Sequence, residues 1–136
     1  MATENPGRVV SREAGANIVN KRFVNEVAGG KVDRCAIEGE QVDGVVAMIS
    51  YGKTGSTIAA GDECPVCKDG DCIVESGALV LDNAIVMTDT VGRAITWDGT
   101  SFVAGRVVNG SSAGAAGEDL TIELAQPGQY TTPDLT

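Results

Sequence analysis

The chain has 136 residues, 19 acidic against 10 basic side chains for a formal charge of −9, and no histidine. That length suits one domain able to bury roughly two-thirds of its unfolded surface. The acidic balance excludes nucleic acid, whose affinity comes from Lys and Arg on phosphates, and an anionic membrane surface, while the lack of His removes the commonest general base and metal ligand.

No stretch approaches the roughly 18 apolar residues that a membrane span needs. Met1–Arg8 lacks the apolar centre of a secretory signal, so synthesis in the cytosol is the expectation. Eighteen glycines, scattered among Val, Ile and Ala, fit a turn-rich all-β domain.

The polar N-terminus, residues 1–17, carries Pro6 and only Val9-Val10 as an apolar point. It reads as a frayed end or as an extended arm that orders on a partner, with Arg8, Val9, Val10 and Arg12 as anchors. A β-domain over residues 18–124 follows, and residues 125–136, with Pro127 and Pro133, form an extended C-terminal tail. Arg22–Val27 and Val32–Ile37 are predicted strands of a hairpin turned by Gly29-Gly30. Gly44–Ile49 is a third strand and Tyr51–Ser56 a loop. Gly52-Lys53-Thr54 resembles the end of a phosphate-binding P-loop, but Ala47 stands where that motif needs Gly and no helix is signalled.

Between Ile58 and Val74, C-P-V-C-K-D-G-D-C reads as a hairpin with a two-residue Asp69-Gly70 turn, pairing Cys67 with Cys72 at a Cα separation of roughly 4.5 Å. Ala84–Val108 is the stretch around which the rest is organised. Its runs Ile85–Met87, Ala94–Trp97 and Phe102–Val108, divided by Asp89–Gly92 and Asp98-Gly99, predict a three-strand antiparallel meander. Asn109–Asp119 is a flexible small-residue loop, and Leu120–Leu124 alternates as a closing strand. The expected fold is all-β: a small antiparallel barrel or sandwich with extended N- and C-terminal arms.

The four cysteines are the one sharp chemical feature. Cys64 and Cys67 have the spacing of half a zinc site, to which Cys35 and Cys72 could add ligands, although a second Cys-x-x-Cys is missing. A Cys67–Cys72 disulfide is a second reading. Reduced thiols acting as small apolar side chains are a third. The carboxylates at 62, 63, 69, 71, 82, 89 and 98 all fall at predicted turns, where turn chemistry explains them. No catalytic, cofactor-binding or metal-binding residue is assigned, and the chain reads as a non-enzyme.

In order, R-F-V-N-E-V-A-G-G-K-V (22–32), D-G-V-V-A-M (43–48), I-A-A-G-D (58–62), T-V-G-R-A-I-T (90–96), V-A-G-R-V-V (103–108) and A-A-G-E-D-L-T-I-E-L (115–124) resemble the small capsid decoration, or cement, proteins of tailed bacteriophages. The resemblance covers residues 20–124 and rests on order and spacing, and the cysteine hairpin departs from it. It implies a β-tulip-like virion protein that binds the outer surface of an icosahedral capsid and stabilises it. It also implies the major capsid protein as partner and itself as a homotrimer, with no cofactor. Two alternatives belong to other classes. A lipoyl-like carrier module would use Lys68 near a hairpin tip, and a zinc-dependent adaptor would use the cysteines.

Overall fold

The computed structural model describes residues 5–46 and 57–125. Among them are eleven strands and no helix: β1 (Asn5–Ala14), β2 (Ile18–Val19), β3 (Phe23–Val27), β4 (Lys31–Arg34), β5 (Gly44–Val46), β6 (Thr57–Ile58), β7 (Glu63–Glu75), β8 (Ile85–Thr88), β9 (Ala94–Thr96), β10 (Gly105–Val107) and β11 (Asp119–Leu124). Nine of them form one sheet in the order β1-β4-β3-β5-β7-β11-β10-β8-β9, and an extra β1–β7 pairing closes its first part into a small barrel. β2 and β6 pair separately.

Side chains on a strand alternate between faces, and here both faces are buried. Phe23, Val45 and Cys67 point into a larger core with Val74, Val86, Leu120, Ile122 and Leu124. Their chain neighbours Val24, Val46 and Val66 point the other way, into a smaller core with Ala14, Ile18, Val32, Ile58 and Cys64. β3, β5 and the first half of β7 are therefore a wall between two cores. That explains the unbroken apolar runs at Gly44–Val46 in β5 and 64–67 in β7, and Phe23-Val24 at the start of β3.

Several expectations need correction. Residues 5–14 are not a detached arm: β1 runs antiparallel to β7 from Glu13↔Glu63 to Asn5↔Asp71 and meets β4 in parallel at Glu13↔Lys31. Ala14 is fully buried and Val10 packs on the smaller core, which anchors the segment to the body. The cysteine hairpin is not a hairpin either. β5 and β1 occupy both sides of residues 66–67, so the chain cannot fold back there, and β7 continues to pair with β11. Asp69-Gly70 supplies a local excursion instead, with Gly70 at φ +83°.

The meander is reordered, since β8 is central, with β9 on one side and β10 on the other. The connection after Trp97 crosses β8, and the Ala104 amide donates to the Val86 carbonyl at 2.8 Å. The loop after Val108 is held in place. Ala113 and Val80 exchange main-chain bonds at 2.8 and 2.9 Å, and Gly117 donates to the Ser76 carbonyl. The β3–β4 hairpin forms about Gly29-Gly30 in register Val27↔Lys31, but its second strand starts at Lys31 and ends at Arg34, short of the expected Ile37. The expected extension of β5 through Ile49, the Tyr51–Ser56 loop and the tail beyond Ala125 lie outside the described residues.

Candidate functional site

Three groups of side chains carry the chemistry of the described surface and interior. The first joins β1, β3 and β7. Arg12 Nε meets Glu26 Oε1 at 2.8 Å, and Lys68 Nζ meets Glu26 Oε2 at 3.1 Å. Arg12, and then Lys68, hold the Glu26 carboxyl below its usual range. Beside this pair an open groove of about 620 Å³ is lined by Ser11, Arg12, Glu13, Glu26, Gly30, Gly61 and Glu63. Of the predicted anchors, Arg8 and Val9 stay exposed, whereas Val10 packs inward and Arg12 is tied to Glu26. Lys68 does not project from a hairpin tip as a carrier lysine must. It lies within β7, 15% exposed and ion-paired.

The second group was missed by sequence reasoning. Lys21 is buried, with φ +61°, and its Nζ donates to Asp119 Oδ2 at 2.8 Å. Next to it, Arg22 and Arg93 hold the two oxygens of Glu75 at 3.3 and 3.5 Å. Arg93 also reaches Asp89, whose carboxylate accepts the main-chain amides of Val91 and Arg93. The network fastens the β8–β9 turn to β3 and β7, and a turn-signal Asp was its one visible component. Asp98 is simpler: its carboxylate accepts the amides of Thr100 and Ser101 and the Ser101 hydroxyl at 2.6 Å.

The third group is the cysteines. Cys67 and Cys72 are disulfide-bonded, with Cα atoms 6.5 Å apart, and Cys35 and Cys64 are buried free thiols. Burial pushes Cys35 up to about 12 and Cys64 up to about 11, which leaves both as inert thiols. The zinc reading fails on geometry. Three residues apart on a strand, Cys64 faces the smaller core and Cys67 the larger one, so they cannot grip one ion. Among the described residues, no three His, Cys, Asp or Glu side chains gather to hold a metal.

No protein-family model and no curated protein matches the chain. The structure does match a solved one, the head fiber gp8.5 N base of bacteriophage phi29, with a TM-score of 0.63 at 17% identity. The match covers 87% of this chain and 93% of that one. The chain has the fold of a phage head protein. What the two share is therefore the arrangement of strands over nearly their whole length, reached with few common residues.

Proposed function

We propose that the chain is a non-enzymatic structural protein of a phage virion, made in the host cytoplasm. It binds the outer surface of the icosahedral capsid and stabilises it. The observation that carries this reading is the fold shared with a head-fibre base across nine-tenths of that chain. The order of short motifs along residues 22–124, similar to cement proteins, supports it independently.

The partner is the major capsid protein, and the chain acts as a homotrimer whose three weak contacts add into tight attachment. The exposed part of β1, at Arg8 and Val9, is the contact surface nearest to the sequence expectation. Val10 and Arg12 support it from within the fold. The test is decoration of purified, expanded capsids that lack this protein. Saturable binding in multiples of three, with shells surviving higher temperature, is the expected result. Shells that take up none of the protein, or gain no heat resistance from a full coat, would overturn the reading.

A further inference from the structure

We propose that the Cys67–Cys72 disulfide is a redox latch governing whether the first half of β1 stays in the sheet. Five residues of extended strand cover roughly 16 Å, yet the two cysteine Cα atoms lie 6.5 Å apart. Residues 68–71 must therefore bulge out of β7, and the bridge spans the base of that bulge.

The bulge is the pairing partner of the start of β1. Asn5 lies opposite Asp71, Pro6 opposite Gly70 and Arg8 opposite Asp69, with register shifts on both sides of Arg8. Gly7 sits so close to Asp69 that a Cβ at residue 7 would collide with its carboxylate. From Val9 to Glu13 the partners are residues 67–63, and β5 backs residues 66 and 67 from the other side. From Asp71, at the end of the bulge, to Glu75 the strand is held by β11. Within the bulge Lys68 is tied to Glu26, so residues 69–70, on which residues 6–8 are seated, are the part whose shape the bridge sets by closing its base.

The exchange balances with a small-molecule disulfide such as glutathione disulfide as oxidant. The thiolate of one cysteine attacks it and releases one glutathione, leaving a mixed disulfide. The second cysteine then displaces the second glutathione and closes the protein bridge, so two thiol protons and two electrons leave the protein. All four cysteine side chains are buried; Cys67 and Cys72 are the pair that bridges, and Cys35 and Cys64 remain free thiols. In the disulfide form residues 5–8 are seated on the bulge. In the dithiol form the bulge relaxes, and residues 5–8 and the edge at 69–70 become available to a neighbouring strand. The latch goes beyond the capsid reading and does not depend on it.

The experiment compares amide hydrogen exchange of the full chain after glutathione disulfide, after a phosphine reductant, and in the Cys67→Ser/Cys72→Ser variant. Oxidation should lower the intact mass by two hydrogens. The amides of residues 7, 8, 69 and 70 should exchange at least about tenfold faster in the reduced chain and in the variant. Protection along residues 9–13 and β11 should not change. Equal protection at residues 7 and 8 in all three samples would show the bridge to be inert toward β1. Loss of protection throughout β11 on reduction would show a staple of the whole fold and overturn the latch. Two thiols that resist oxidation would overturn it as well.

Discussion

A lysine ammonium withdrawn from water needs a fixed counter-charge, and Lys21 has one in Asp119 at 2.8 Å. Asp119 keeps a third of its side chain in solvent, so removing it costs less than breaking a fully buried pair. Asp119→Ala should destabilise by about 2 kcal/mol, and Lys21→Met by less, because the methionine leaves no buried charge. Urea denaturation of both variants checks the order. Asp98 yields a pH expectation. Its hydrogen bonds from Ser101 and Thr100 lower the carboxyl from 3.8 to about 2. A depressed folded-state value means that the turn is fully bonded above about pH 4. Its contribution is then lost as pH falls through about 2. NMR of the Thr100 and Ser101 amides should show that low midpoint, and a midpoint near 4 would contradict it. The two residues differ in how far sequence could foresee them. Asp98-Gly99 announces its own turn, whereas the partner of Lys21 lies 98 residues away and no local pattern points to it.

At the level of elements, β1 and β7 show what sequence reading can miss. The inward positions of β1 at its inner end are Val10, Arg12 and Ala14, so one charged side chain, answered by Glu26, interrupts the period of two. Deleting residues 2–14 would remove the strand that closes the barrel and uncover Cys64 and Val66. A folded-state signal lost at room temperature is the expected outcome, read by circular dichroism. A truncated chain that keeps its strand spectrum would mean β1 is dispensable. In β7, Asp69-Gly70 carries the composition of a hairpin turn, and only the strands on both sides forbid the reversal. By contrast the Gly29-Gly30 turn of the β3–β4 hairpin and the apolar face of β11 at Leu120, Ile122 and Leu124 were readable because each depends on adjacent residues, although Thr121, expected outward, is buried as well. Gly44 is fixed by an approach that sequence does not reveal. A Cβ there would lie 2.7 Å from the Cys67 carbonyl oxygen and 2.5 Å from Val66 Cγ1. Gly44→Ala should therefore cost about 1–3 kcal/mol, which thermal denaturation would measure.

Over the whole molecule, the −9 charge bears on the proposed capsid attachment. If that attachment is led by opposite charge, association should slow as salt rises past about 0.15 M, while a coat already in place is less affected. Stopped-flow binding to capsids at several salt concentrations would check this, and salt-independent rates would point to an apolar contact. The wall of β3, β5 and β7 has another outcome. Two separate cores, each with its own strands, would be free to melt in two steps. Here Val66 and Cys67, adjacent in the chain, belong one to each core, so neither core can come apart while its neighbour keeps the wall in place. Heating should give one calorimetric peak whose measured enthalpy equals its van't Hoff value. Val66→Ala in the smaller core and Leu120→Ala in the larger should lower that same peak without splitting it. The partition that divides the interior is thus what makes the domain melt as one unit.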